Sequence, residues 1–174
     1  MRQAVFLDRD GVINRAIVKN GKPFPPASLD DFEFLPGVES AVCALRKAGF
    51  FIVVVTNQPD VATGMQTREV VESMHKKLHA AAICDEIKVC YHIDADACDC
   101  RKPKPGMLIE AAFEWQIDLK RSFMVGDRWR DVAAGKAAGC QTFFIDYHYH
   151  EQSAETPDAV VASLEEAANL ILQL

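Results

Sequence analysis

The chain has 174 residues, of which 49% are hydrophobic and 25% charged, with a formal net charge of −6. That length suits one well-cored domain, residues 1–174, and is short for two. The acidic balance argues against a nonspecific nucleic-acid binder, which carries a basic face. No apolar run reaches the ~18 residues of a membrane span and the first residues lack a signal peptide's apolar core, so a cytoplasmic protein without membrane contact is expected. In such a reducing compartment the six cysteines are expected as thiols or metal ligands.

A first strand is predicted at Ala4 to Leu7, running straight into Asp8-Arg9-Asp10-Gly11. Alternate residues of an extended chain share a side, so Asp8 and Asp10 can serve one site. Two carboxylates that close invite a cation, and magnesium prefers such oxygen ligands. The plainer alternative is a strand ending in a polar turn. Residues 14–36 hold Gly21, Pro23, Pro25 and Pro26 without a sustained period, and read as an ordered loop too short for a lid domain.

Pro36-Gly37 opens a helix with Val38, Val42 and Leu45 on one face, closed by Gly49. Residues 50–55 form a fully buried strand ending at Thr56-Asn57-Gln58. Thr67 caps a helix bearing Val70, Val71, Met74, Leu78 and Ala81. His75 and His79, four apart on that helix, lack an acidic partner motif and are read as a solvated face rather than a metal pair. A weaker strand follows at 87–91, its lysine placing it nearer an edge. Arg101 to Gly106 leads into a helix with Leu108, Ile109, Ala112 and Phe113, and residues 122–125 form a strand ending in Gly126-Asp127. A helix over 131–138, a strand over 142–145 and a closing helix over 163–172 complete the chain.

This alternation predicts an α/β fold, a three-layer Rossmann-like parallel sheet with helices on both faces and ligands at the carboxyl ends of the strands. Asp8, Asp10, Thr56, Asn57 and Asp127 all fall where apolar strands end, so independent segments converge on one rim.

Asp8-x-Asp10-Gly11, Thr56 after a buried strand, Lys102-Pro103 before a helix, and Gly126-Asp127-x-x-x-Asp131 occur in this order. Together they resemble the four motifs of the haloacid dehalogenase superfamily of phosphohydrolases. The resemblance implies Asp8 as the nucleophile of an aspartyl-phosphate intermediate and Asp10 as general acid and base. It further implies magnesium held by the Asp8 carboxylate, the Asp10 carbonyl and Asp127, with Asp131 reaching it directly or through water. Thr56 would hydrogen-bond the phosphoryl group and Lys102 would balance its charge. No organic cofactor is implied.

Cys90-x-His92 and Cys98-x-Cys100 supply three thiols and one imidazole, a soft set suited to closed, structural, tetrahedral zinc that stiffens the loop presenting Arg101 and Lys102. Free thiols in a polar loop are the alternative. The run from Cys90 to Pro103 is similar to that of D,D-heptose 1,7-bisphosphate phosphatases and the related histidinol-phosphate phosphatases. This resemblance implies substrate recognition by Arg101, and Asn57, Gln58 and Arg128 are further candidates at the same rim. Arg15 to Lys19 departs from the acidic and Gly-Tyr elements common in the heptose enzymes, and Arg128 stands where those often have lysine. Lys19, Lys22, Lys104, Arg128 and Arg130 are candidates to grip a second phosphate, each weighed against a plain solvated charge.

The expectation is a capless, monomeric phosphatase acting on a small phosphorylated sugar, a heptose bisphosphate, with Mg2+ catalytic and Zn2+ structural. Alternatives are histidinol phosphate, a polynucleotide 3′-phosphate, or a non-catalytic zinc-stiffened interaction module.

Overall fold

The computed structural model describes residues 1–174. Its first strand, β1 (Ala4–Leu7), is buried throughout, as a strand covered on both faces must be. A short antiparallel ribbon follows, β2 (Ile17–Lys19) paired with β3 (Lys22–Phe24), in the stretch expected to be loop. Its strands are three residues each, too short for a period to register. Helix α1 (Val38–Lys47) buries Val38, Ala41, Val42 and Leu45, and hands over to β4 (Phe51–Asn57). Helix α2 (Arg68–Ala80) starts where the Thr67 hydroxyl accepts the Val70 N–H at 3.3 Å.

Strand β5 (Glu86–Cys90) lies at the sheet edge, where Lys88 pairs with Glu110 and Glu114. The two acids lie on α3 (Gly106–Trp115). Strand β6 (Phe123–Gly126), helix α4 (Trp129–Ala138), with left-handed Gly139 at its end, and strand β7 (Gln141–Ile145) follow. A last strand, β8 (Ala159–Val161), was not expected from the sequence, and α5 (Leu164–Ile171), capped by Ser163, closes the chain.

The main sheet is six-stranded, wholly parallel, in the order β5-β4-β1-β6-β7-β8. Helices α1, α2 and α5 pack on one face through Leu45, Met74, Leu78 and Ile171, against Val5, Leu7, Ile52 and Val54. Helices α3 and α4 cover the other through Met107, Leu108, Ala111 and Ala134, against Phe6, Val53 and Val55. Each fully buried large aliphatic side chain contributes roughly 1.5–3 kcal/mol, so both layers hold the sheet firmly. No helix is long and apolar enough to cross a membrane.

Candidate active site

The chain builds outward from β1 through β4 to β5, then crosses back to add β6 on the other side of β1. Loops therefore part at the carboxyl ends of β1 and β6, the place where a parallel sheet opens a crevice. Asp8 follows β1 and Asp127 follows β6, so the topology alone brings them together. Asp8, Asp127 and Asp131 are all buried, with carboxylate oxygens within 4.8 Å of one another. Lys102 inserts a buried ammonium among them, donating to Asp131 Oδ1 at 2.6 Å and to the Val55 carbonyl at 2.8 Å, and lying 2.9 Å from Asp8 Oδ1.

One cation against three acids leaves negative charge behind, and each group's proton affinity shifts accordingly. Burial, reinforced by the charge of Asp131, pushes Asp8 up to about 6 against the pull of Lys102. Burial and then the charges of Asp8 and Asp131 raise Asp127 well above the carboxylate range. Burial opposes protonation of Lys102, but Asp131 and Asp8 outweigh it and raise its pKa. Both Asp131 oxygens are engaged, Oδ2 accepting the Arg128 N–H at 2.9 Å. Asp127 Oδ1, in contrast, is buried without a partner. A Cβ on Gly11 would overlap the Asp127 carboxylate, so this glycine, at φ +87, leaves the space open. An orphaned carboxylate oxygen in a net-negative pocket whose acceptors are carboxylate oxygens fits a small divalent cation such as magnesium.

Asp10 turns away from that pocket. Its carboxylate accepts from Arg9 Nε and Nη2, from Asn14 Nδ2 at 2.9 Å and from Gln58 Nε2 at 2.8 Å. Arg9 is fully buried, and its Nη1 points at His75 Nε2 across 3.3 Å. An arginine only donates, so that nitrogen of His75 accepts. Thr56 is buried at the end of β4, where its hydroxyl accepts from Gln58.

A cavity of about 260 Å³ opens above Asp8, Asp10 and Lys102, walled by Lys22, Arg101, Arg128 and Arg130. Asp94 binds Arg101 Nε at 2.7 Å and Arg130 Nη1 at 3.1 Å, holding two guanidinium groups side by side. Cys90, His92, Cys98 and Cys100 stand behind Arg101 with their ligand atoms within 4.8 Å of one another. Their sulfurs are 3.1–3.7 Å apart and His92 Nδ1 lies 3.3 Å from Cys100 Sγ. Thiolates about 2.3 Å from a tetrahedral centre would sit roughly 3.8 Å apart, so the cluster is sized to hold one metal ion.

The HAD-hydrolase-like family model matches residues 99–167. A D-glycero-beta-D-manno-heptose-1,7-bisphosphate 7-phosphatase of Photorhabdus laumondii is 38% identical over 181 residues, covering 97% of this chain and 89% of its own. This chain belongs to that family of HAD-like phosphatases. The Rhodopseudomonas palustris protein of the same name is 37% identical over 154 residues, covering 82% of each chain. The crystal structure of D,D-heptose 1,7-bisphosphate phosphatase from B. bronchiseptica, complexed with magnesium and phosphate, superposes with a TM-score of 0.86 at 31% identity, covering 98% of both chains.

Several residues of this phosphatase stand elsewhere than the sequence suggested. Gln58, expected against substrate, is 1% exposed, with its amide turned to Asp10 and Thr56. Asn57 reaches the cavity edge but grips the Lys102 backbone from both sides, donating to its carbonyl at 3.0 Å and accepting its N–H at 3.2 Å. His75 is not on a solvated face: it is buried against Arg9, and burial followed by that guanidinium lowers it to about 4. Its neighbours Val71, Met74 and Leu78 are the buried residues of α2, a helical phase that could have placed it. His79 remains exposed. Lys19 and Lys104 lie outside the cavity, the first against the Phe24 ring and the second paired with exposed Asp99. Sequence reading assigned nothing to Asp94, Tyr149 or Glu151, which hold Arg101, Asp127 and Arg128 respectively.

Proposed function

We propose that this phosphatase removes the 7-phosphate of D-glycero-β-D-manno-heptose 1,7-bisphosphate through an aspartyl phosphate on Asp8. The observation that carries it is Asp8 Oδ1 pinned by Lys102 and by the Arg9 N–H at 2.8 Å, beside the unpartnered Asp127 Oδ1, beneath a wall of four cations. With Oδ1 so held, Oδ2 is the oxygen free to attack phosphorus in line, and at neutral pH it needs no deprotonation. The bond from phosphorus to the sugar oxygen breaks, and Asp10, at the cavity edge, protonates that oxygen. Asp10 then takes a proton from water as its oxygen attacks phosphorus, releasing inorganic phosphate and restoring Asp8.

Magnesium, held by Asp8, the Asp10 carbonyl and Asp127, would neutralise charge between carboxylate and phosphate, with Asp131 beyond. Thr56 is assigned to a phosphoryl oxygen and Lys102 to the same group's charge. Arg101, Arg130, Arg128 and Lys22 line the space for the second phosphate. Zinc is the ion proposed for the Cys3His cluster, since three thiols and an imidazole leave no open position. The chain is proposed to act as a single monomeric unit in the cytoplasm, where reduced thiols remain available to the metal.

The test is phosphate release with magnesium from α- and β-heptose 1,7-bisphosphate, histidinol phosphate and a 3′-phosphorylated oligonucleotide. A kcat/KM for the β anomer about a hundredfold above the rest, worth about 2.7 kcal/mol of transition-state binding, is the expected result. Preferential turnover of histidinol phosphate or of the oligonucleotide would replace the substrate assignment. Absence of all turnover would remove the enzymatic one.

A further inference from the structure

Residues 147–151, between β7 and β8, are fastened by four contacts to three loops of the site. The Tyr147 hydroxyl donates to the Gly11 carbonyl at 3.0 Å, and the Tyr149 hydroxyl donates to Asp127 Oδ2 at 2.9 Å. The His150 N–H reaches the Gly21 carbonyl at 2.8 Å, and Glu151 pairs with the Arg128 guanidinium. The two phenol rings pack with centroids 5.5 Å apart. A Cβ on Gly21 would overlap the His150 imidazole, so the turn between β2 and β3 is shaped to receive it.

The three buried acids are not treated alike by their surroundings. Lys102 compensates Asp8 and Asp131, and Asp131 has both oxygens occupied. Asp127 receives only a phenol hydrogen bond, which takes no charge away from the carboxylate. A carboxylate can turn about its last bond and present either oxygen. Anchoring Oδ2 on Tyr149 fixes the plane and leaves Oδ1, the unpartnered atom, as the one presented to the pocket.

We propose that residues 147–151 form a positioning strap that orients Asp127 for a divalent cation, with Tyr149 as its working contact and Tyr147, His150 and Glu151 as its anchors. The inference rests on the magnesium-phosphatase reading and adds a residue to it. Partners behind a metal ligand commonly set its affinity by 10–100-fold, and Tyr149 stands in that place.

The test needs no substrate: melting temperature is followed while magnesium is titrated into magnesium-free protein that keeps its zinc. Tyr149→Phe removes the hydroxyl and keeps the ring. It is expected to weaken magnesium binding about tenfold. Gly21→Ala, which displaces His150 at the far anchor, is expected to weaken it less. The double variant should be no weaker than Tyr149→Phe alone, because both changes act through one hydrogen bond. If Tyr149→Phe binds magnesium as tightly as the parent, or if the two losses add in full, the strap has no such role. Should Gly21→Ala not fold, Tyr149→Phe decides alone. Failure of the unaltered chain to bind magnesium at all would overturn the metal reading together with the strap, an outcome distinct from a parent that binds and a variant that binds equally.

Discussion

Acidification should loosen magnesium's hold on this protein by an amount that follows from the buried acids of the site. Burial and the charge of Asp131 lift the metal-free Asp8 to about 6 from 3.8. A carboxyl raised in the folded state keeps a proton that the unfolded chain releases. Its stabilising contribution is therefore complete below about pH 4 and is lost as the pH climbs through 6. A rise of that size is worth roughly 3 kcal/mol. His75 has the opposite sign. Lowered to about 4 from 6.5 by burial and then by Arg9, it contributes stability above pH 6.5 that disappears as the pH falls through 4, again roughly 3 kcal/mol. In metal-free protein the two nearly cancel across that window. In protein that keeps its zinc, the difference between magnesium-loaded and magnesium-free states removes His75 and reports the acid pocket, because His75 contacts Arg9 rather than those acids.

With magnesium at a hundred times its Kd at pH 7.5, the added stability is about 2.7 kcal/mol. At pH 5 a proton must leave Asp8 for each ion bound, weakening binding about tenfold and cutting the increment to about 1.4 kcal/mol. Asp127, raised by burial and by the charges of Asp8 and Asp131, makes the fall steeper. Urea melts of zinc-loaded protein at the two pH values, with and without magnesium, measure both increments. Equal increments would refute the placement of the ion on Asp8 and Asp127.

Asp8→Asn removes the attacking anion, and phosphate release should fall by about a thousandfold or more, read in single-turnover assays; full retained activity contradicts the covalent route. Cys98→Ser breaks the four-ligand set, so elemental analysis should show bound zinc falling from about one per chain to near zero, with a lower melting temperature and a lower kcat/KM through Arg101 and Lys102. Asn57→Ala deletes both hydrogen bonds to the Lys102 backbone. It should cost about 1–2 kcal/mol of stability and depress kcat more than it raises KM, as expected when a charge is misplaced while the groups that grip the substrate stay where they are.

The sheet and its acid rim were legible because parallel strands buried on both faces are unbroken apolar runs, and the residues ending them share one edge. Ala4 to Leu7 before Asp8 and Phe123 to Gly126 before Asp127 show this directly. What escaped has no period to read. The β2–β3 ribbon and β8 have three-residue strands, and residues 147–151 have no regular structure at all. Tyr147 and Tyr149 nevertheless follow β7 at the same rim, so the reasoning applied to Asp8 reaches them when continued past Ile145. Residue type misled at Gln58 and His75, where a polar side chain suggested contact with ligand or solvent and the structure uses it to hold Asp10 and Arg9. Polar groups buried behind a catalytic acid look, in sequence, like polar groups in front of it.

The arc of residues 93–97 leaves and re-enters the protein at one point, since Cys90 and His92 on one side and Cys98 and Cys100 on the other converge on the same centre. Beyond that base the arc meets the rest of the chain through Asp94, on Arg101 and Arg130, and through the Ala97 carbonyl, which accepts from Lys104. Lys102 is held independently of the arc, by Asp8, Asp131 and the Val55 carbonyl, whereas Asp94 within it holds Arg101 and Arg130. A substitution at Asp94 therefore reaches two of the four cations that wall the cavity without touching the buried acids below them.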